Sequence, residues 1–141
     1  MVASESNTIV GPVITAVGVS RVFGSGDTAV TALSIINLTV ERGDFLAVTG
    51  RSGSGKTTLL NLLSGLDKPS SGAVEFDGDD LANLRESDLV DMRRRKIGFV
   101  FQSFGLMPLL SAQENVELPL HIGGVSWRER RQRSYDALEA V

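Results

Sequence analysis

The stretch that decides the fold is 50-GRSGSGKTTLLNLLSGLDKP-69, in which a glycine-rich loop changes abruptly into an apolar repeat. The glycines at positions 50, 53 and 55 each cost about 0.5 to 1 kcal/mol relative to alanine within regular structure, which predicts an unusual backbone path. Behind them, leucines recur at helical spacing up to Leu63, and Gly65 supplies a stop. The stretch therefore predicts a loop that leads directly into a helix.

The loop matches the pattern G-x-x-x-x-G-K-[ST], between a predicted buried strand, 45-FLAVT-49, and the predicted helix. In such a loop, backbone N–H groups converge on phosphate oxygens, and the helix start adds partial positive charge. Lys56 can reach the β and γ phosphates, and Thr57 can offer its hydroxyl to Mg²⁺. The alternative, a flexible glycine-serine loop, is disfavoured because pattern and context agree. The predicted phosphate-binding residues, called the phosphate loop below, are Gly50, Arg51, Ser52, Gly53, Ser54, Gly55, Lys56, Thr57 and Thr58.

Arg51, at the expected tip of this loop, has two interpretations. It is either a solvated side chain or an additional phosphate contact, and the first is the more usual role for an arginine on a surface loop. The ligand predicted from the loop as a whole is a nucleoside triphosphate with Mg²⁺.

Length and composition restrict the class of protein and its possible partners. The chain has 141 residues, a length typical of one domain, with 42% hydrophobic residues and a net charge of −3, so nothing in bulk favours a nucleic-acid partner. Cysteine is absent, which excludes disulfides and thiolate chemistry. Residues 1–12 predict a disordered polar tail without the features of a secretory signal. No window approaches 18 consecutive apolar residues, so the chain is not expected to cross a membrane by itself.

Strands and helices are predicted on both sides of the loop. The β-branched run at 13–19, the alternating segment at 29–41 (interpreted as a pair of strands) and residues 73–78 predict strands, while 87–96 predicts a helix. The run 97-IGFVF-101 predicts a second fully buried strand.

Further along the chain, two helix starts are predicted. Ser111 with Glu114, and Ser126 with Glu129, have the spacing of a helix capping box. In the second helix a stripe is predicted to pack while the arginines face water. The basic clusters at 93–96 and 128–133 are interpreted as solvated helix faces. The stripe consists of Trp127, Arg131, Tyr135 and Leu138.

Three motifs in order, GRSGSGKTTLLNLLSGLDKPSSG, RRRKIGFVFQ and LSAQENVELPL, resemble the nucleotide-binding domain of an ATP-binding-cassette (ABC) transporter. The chain is most similar to the cassettes of lipoprotein-releasing and macrolide-export systems, from about Ile14 onward. The resemblance implies an α/β fold, a P-loop NTPase core with an N-terminal antiparallel β subdomain. Residues 13–141 would form an incomplete domain, truncated within an α-helical subdomain that starts at about residue 103.

The resemblance also implies two further site residues and a docking surface. Phe23 stands where the family has an aromatic that stacks on adenine; the less favoured alternative is an ordinary core phenylalanine near a turn. Gln102 resembles the glutamine that ligates Mg²⁺ and senses the membrane partner; without the family it would be a surface polar residue. Lys56 and Gln102 are thus the candidate catalytic groups. Residues 104–108 would receive a coupling helix of the membrane subunit.

Several hydrolytic groups of the family have no counterpart here. The two apolar runs end in Thr49-Gly50 and Phe101-Gln102 rather than in aspartate followed by glutamate, and His121 lies in a helical segment instead of at a γ phosphate. The family's serine-glycine-glycine-glutamine signature is also missing. The intact family members are ATPases, but this chain is expected to bind ATP without hydrolysing it alone.

The implied partners are a transmembrane permease subunit and a second nucleotide-binding domain, the latter put in doubt by the missing signature. The implied location is cytoplasmic, peripheral on the cytoplasmic face of the inner or plasma membrane, with membrane contact only through the partner. Two alternatives stay open. One is a non-catalytic nucleotide-binding fragment that regulates an intact cassette, and the other, less favoured, is a small P-loop kinase.

Overall fold

The structure is a computed structural model that describes residues 11–103 and 105–141. The chain divides into two compact units, one ending at Leu89 and one beginning at Val90, and each is described by itself. The disordered tail predicted for residues 1–12 falls almost wholly outside the described residues. Within the described ranges, no helix combines the length and apolar character needed to span a bilayer.

The first unit is built on an antiparallel sheet of four strands. Its strands are β1 (Ile14–Phe23), β2 (Val30–Val40), β3 (Ser71–Phe76) and β4 (Asp79–Asp80), in the spatial order β2-β1-β3-β4. A short 3₁₀ turn, Gly26–Thr28, joins β1 to β2. The predicted antiparallel β portion is therefore confirmed.

The segment at 29–41 was expected to form a pair of strands, and it forms the single long strand β2. Its register against β1 shifts between Ala16 and Val19 and again around Arg21, and Ile35 has a φ of 50°. These irregularities bend one strand without breaking it, because β1 continues to pair with it on both sides of each shift.

Helix α1 (Lys56–Leu63) follows the phosphate loop as predicted and contacts β1, β2 and β3. Leu62 and Leu63 are buried, together with Val19 and Val74 of the sheet. Burying side chains of this size contributes about 1.5 to 3 kcal/mol each. The helix ends at Leu63 with Ser64 as its C-cap, and Gly65 follows with a φ of 67°, which glycine adopts without strain. This packing fixes the loop against the sheet.

Helix α2 (Glu86–Lys96) also agrees with the sequence, and the boundary between the two units falls within it. Acidic residues lie in its first turn and the basic cluster Arg93–Lys96 in its last, the distribution that the helix dipole favours. Arg94 to Lys96 are exposed, in agreement with a solvated face.

The two apolar runs predicted as buried strands are not strands in this structure. Residues 45–49 and 97–101 have no strand assignment, Phe45 is 97% exposed, and Val100 is fully exposed. A strand buried on both faces needs a hydrogen-bonded neighbour on each side and covering layers above and below. The one sheet of the described residues consists of β1 to β4, and neither run pairs with it. An apolar composition therefore predicted strands whose neighbouring strands and covering layers are not present among the described residues.

In the second unit, helices α3 (Ala112–Ile122) and α4 (Trp127–Glu139) pack against each other. Both predicted N-caps form. Ser111 and Glu114 make both bonds of a capping box, and the Ser126 side chain accepts from the Glu129 amide at 3.4 Å. His121 is exposed in the last turn of α3, the helical segment in which it was predicted to lie, and it contacts Arg130.

The predicted inner stripe of α4 is wrong. Trp127 and Tyr135 are both more than half exposed, whereas Ser134 is fully buried against α3. The Ser134 hydroxyl lies 3.3 Å from the carboxylate of Glu117, and the Arg130 guanidinium lies 3.7 Å from that same carboxylate. A polar contact therefore joins the two helices, and it turns the aromatic residues outward.

Candidate functional site

The backbone of the phosphate loop takes conformations that favour glycine. Gly50, Gly53 and Gly55 have φ values of 152°, 78° and 87°, in the range that L side chains rarely adopt. A Cβ atom at Gly55 would lie 2.5 Å from the carbonyl oxygen of Ala32 and 2.8 Å from Cδ2 of Leu33. Gly55 is therefore required both by its backbone conformation and by close approach to β2.

Lys56 folds back over the loop instead of extending into solvent. Its Nζ donates to the carbonyl oxygens of Gly50 at 2.9 Å and Arg51 at 2.7 Å, and it lies 3.4 Å from the hydroxyl of Ser54. The Ser54 amide also donates to the Arg51 carbonyl, which closes a tight turn within the loop. The Lys56 ammonium is thus held within the loop, so it is already positioned to contact an anion bound there.

The start of α1 is left without a side-chain cap. Its N-cap is Gly55, in the left-handed conformation, and its first turn contains no acidic residue. The Leu59 amide makes the first intrahelical bond, to Gly55. By helix geometry the amides before it have no intrahelical acceptor, and they carry the positive end of the helix dipole. The exposed hydroxyl of Thr57 lies in this turn, and Thr58 is half-buried.

Phe23 lies at the end of β1, where it pairs with Val30. Two residues further along β2 is Ala32, the residue that Gly55 approaches, so the phosphate loop and Phe23 lie at the same end of the β1–β2 pair. Phe23 is 43% exposed, which argues against the core role that its sequence alone allowed.

The remaining predicted residues are more dispersed. Arg51 and Ser52 are exposed on the loop, and the Arg51 carbonyl, rather than its guanidinium, is the atom that engages Lys56. Gln102 belongs to the second unit, where it is exposed in a turn after the 97–101 run. Of the proposed docking segment, Phe104 lies outside the described residues, and residues 105–108 are exposed.

Arg21, which contacts Phe23, and Asp67, which contacts Arg21, escaped the sequence analysis. The guanidinium of Arg21 lies 4.5 Å from the centroid of the Phe23 ring, and it donates to both carboxylate oxygens of Asp67. The spacing of Arg21 and Phe23 along a strand places both side chains on one face, which was a usable signal. Asp67 is 46 residues from Arg21 along the chain, and no local pattern marked it.

A small cavity of the first unit lies away from the phosphate loop. It has a volume of about 20 Å³ and lies between the end of α1 and β3, lined mainly by apolar side chains such as Leu62 and Val74. A space of this size holds about one water molecule. The phosphate loop, by contrast, is open, and backbone amides at a helix start can hold an anion without a deep pocket.

The chain is similar to proteins of one family over most of its length. A sequence profile described as "ABC transporter" matches residues 33–141. The chain is 47% identical over 123 residues to the uncharacterized ABC transporter ATP-binding protein YvrO of Bacillus subtilis, covering 87% of the chain and 54% of that protein. It is 44% identical over 130 residues to the macrolide export ATP-binding/permease protein MacB of Brucella abortus, covering 92% of the chain and 20% of MacB.

Solved structures agree with these matches. The dimeric post-hydrolysis structure of the ATP-binding cassette MJ0796, bound to ADP and Pi, superposes with a TM-score of 0.81 at 42% identity, covering 89% of the chain and 56% of the cassette. A second dimeric structure of MJ0796 gives the same TM-score at 43% identity and the same coverage. The chain thus spans about half the length of YvrO and of this cassette. Both the expected fold class and the similarity to macrolide-export cassettes are confirmed, and the chain belongs to the ABC transporter family.

Proposed function

We propose that this chain binds ATP with Mg²⁺ through the phosphate loop, as the ATP-binding part of an ABC transporter. The observation that carries the proposal is the position of Lys56, whose ammonium is held by the loop carbonyls beside the uncapped start of α1. A cation and a set of helix amides at one point suit the negatively charged oxygens of a phosphate group. The ADP and Pi bound by the cassette MJ0796 support the same ligand class.

Each part of the nucleotide has a proposed contact. The amides of the phosphate loop and Lys56 hold the phosphates, and Phe23 stacks on the adenine base. The Thr57 hydroxyl is a hard oxygen ligand suited to Mg²⁺, with Gln102 as the second proposed protein ligand. When bound, the metal neutralises charge on the β and γ phosphates. Within the described residues no group of three or more acidic, histidine or cysteine side chains is suited to a metal.

We also propose that the chain alone does not turn ATP over. The sequence most similar to a catalytic strand ending in aspartate is 74-VEFD-77, and Gly78 follows where a glutamate would be needed to orient water. Asp77 lies after the end of β3 and is engaged by the guanidinium of Arg42. Its carboxylate is committed to that ion pair.

The proposed partners are a transmembrane permease and a second nucleotide-binding domain, with the chain on the cytoplasmic face of the membrane. MacB, which is named as an ATP-binding/permease protein, supports the first partner, and the dimeric MJ0796 structures support the second. Coupling of ATP binding to transport of a substrate belongs to this assembly.

The proposal is tested by titrating the 141-residue chain with ATP and Mg²⁺ while phosphate release is followed in parallel. The variant Lys56→Ala removes the ammonium, and charged hydrogen bonds of about 1.5 to 3 kcal/mol predict a loss of affinity of about 10- to 150-fold. Lys68→Ala, at an exposed lysine after α1, is the matched control and is expected to bind normally.

Equal affinity of the unmodified chain and Lys56→Ala would contradict the proposed phosphate site. Lys56-dependent release of phosphate would contradict the separate proposal that the chain alone only binds.

A further inference from the structure

An ion pair lies against the ring of Phe23, and phosphate binding makes no use of it. The Arg21 guanidinium carbon is 4.5 Å from the ring centroid. Nε and Nη2 of Arg21 donate to the two carboxylate oxygens of Asp67 at 2.9 and 2.8 Å. This bidentate arrangement fixes the plane of the guanidinium as well as its position.

Asp67 is tied to the helix that follows the phosphate loop. It lies in the turn after α1, where the amides of Leu66 and Asp67 donate to the Asn61 carbonyl at 2.9 and 3.1 Å. Its carboxylate accepts a further bond from the Lys68 amide at 2.8 Å. The side chains of Arg21 and Asp67 are only 23% and 27% exposed, so solvent screens their attraction less than that of a surface pair.

The same turn is fastened to the end of β1. The Ser70 amide donates to the Ser20 carbonyl at 2.8 Å, and the Val22 amide donates to the Ser70 hydroxyl at 3.0 Å. Phe23 is the next residue after Val22 and the last of the strand. Both the ring and the cation beneath it are thus connected to α1, whose first turn follows the phosphate loop.

We propose that Arg21, held by Asp67, is a positioning residue that keeps the Phe23 ring in place to stack on the purine base of the nucleotide. This inference rests on the proposed ATP binding. The guanidinium covers one face of the ring by a cation–π contact, and the ring is still 43% exposed. A ring that is already ordered loses less entropy when a base stacks on it, which raises affinity for the base.

This role separates affinity for the base from affinity for the phosphates. Inorganic tripolyphosphate has the phosphate chain of ATP and no base, so it reports on the phosphate loop alone. A residue that acts only on Phe23 must change the binding of ATP and leave tripolyphosphate unaffected. A residue that merely stabilises the end of α1 must change both.

The experiment measures dissociation constants of Mg²⁺–ATP and Mg²⁺–tripolyphosphate for the 141-residue chain and for Arg21→Ala. Loss of a partly exposed cation–π contact predicts about a three- to tenfold weaker affinity for ATP and no change for tripolyphosphate. Arg21→Lys retains the charge and loses the planar fork, so we expect an intermediate loss. Arg85→Ala removes another bidentate Arg–Asp pair, on the surface at α2, and is the matched control.

A double-mutant cycle tests whether Arg21 acts through the ring. In the Phe23→Ala background, Arg21→Ala is expected to cause no additional loss of ATP affinity. Thermal unfolding of each variant checks folding; if Arg21→Ala does not fold, Arg21→Lys and Asp67→Asn provide the same comparison between the two ligands.

An equal loss for both ligands, an unchanged ATP affinity, or additive losses in the cycle would each overturn the positioning role while ATP binding stands. Tighter ATP binding by Arg21→Ala would also overturn it, since the guanidinium would then occupy the face that the base needs. If the unmodified chain binds neither ligand, the proposed function fails, and this inference fails with it.

Discussion

Helices α1 and α3 begin in opposite ways. At α3, the hydroxyl of Ser111 accepts from the Glu114 amide, and the Glu114 carboxylate accepts from the Ser111 amide at 2.8 Å. At α1, the N-cap is a glycine with no side chain, and the first turn contains Lys56 in place of an acid. The start of α3 is capped by its own side chains, whereas the start of α1 has no side-chain cap.

The difference shows how a sequence marks a binding helix. A serine or threonine at the N-cap stabilises a helix by about 0.5 to 2 kcal/mol. Helix α1 lacks this contribution because its N-cap is Gly55. Packing of Leu62 and Leu63 against the sheet holds α1 in place instead. A helix that is anchored by its far end can keep its N-terminal amides available to a phosphate.

The largest effect on this comparison is predicted for Gly55→Ala. The new Cβ would meet the Ala32 carbonyl at 2.5 Å in a backbone of φ 87°, so left-handed strain and overpacking together predict about 2 to 5 kcal/mol of lost stability. Binding of ATP is expected to be lost as the loop moves. Chemical denaturation and ATP titration measure the two effects.

Gly53→Ala is the matched control, because Gly53 also has a positive φ, of 78°, but has open space where the Cβ would be. It is expected to cost only the backbone strain, about 1 to 2 kcal/mol. Equal destabilisation by the two substitutions would show that close approach to β2 does not fix the loop.

A smaller effect is predicted when α1 receives an acid in its first turn, as α3 has. Thr58→Glu places a carboxylate near the helix start, where it suits the dipole and repels a phosphate. We expect unchanged or slightly raised thermal stability and about tenfold weaker ATP binding. The neutral Thr58→Gln serves as the control. ATP affinity unchanged in the glutamate variant would mean that the anion does not bind at this turn.

The smallest effect concerns the closed helix start. The hydrogen bond from the Ser111 hydroxyl, assisted by the Ser111 amide, holds the pKa of Glu114 below its ordinary value. A carboxylate whose pKa is lowered by folding stabilises the protein above its unfolded pKa, and the contribution disappears as pH falls through the lower folded pKa. We therefore expect the melting temperature to decrease when the pH is lowered beyond about 4, and protonation of Glu114 to account for part of the decrease.

Glu114→Gln keeps a capping side chain that does not titrate, so its melting temperature should depend less on pH in the acid range. ATP binding at neutral pH should be unaffected. An identical pH profile for the variant and the unmodified chain would contradict the assignment to Glu114.

Structural features that depend on a few residues close in the chain were predicted well from the sequence. The glycine pattern predicted the loop and α1, and the spacing of Ser111 with Glu114 predicted the start of α3, because turns and caps are made by residues close in the chain. Strands β1 and β3 were also predicted from local composition, whereas the alternating segment at 29–41 was predicted as two strands and β4 was not predicted.

Features that depend on distant partners were predicted poorly. Residues 45–49 and 97–101 have the composition of buried strands, and burial requires neighbours that composition does not specify. The bidentate contact of Arg21 with Asp67 joins residues far apart in sequence. The inner face of α4 is decided by the polar contact of Ser134 with Glu117, which an apolar stripe cannot reveal.

The central claim, that the open helix start of α1 binds the phosphates of ATP, is tested most directly by backbone amide NMR of the chain titrated with ATP and Mg²⁺. The account predicts large, saturable shifts for the amides of residues 53–58 and none for those of residues 112–115 at the start of α3. Lys56→Ala should abolish the first set. Shifts of similar size at both helix starts, or no shifts at residues 53–58, would contradict the claim.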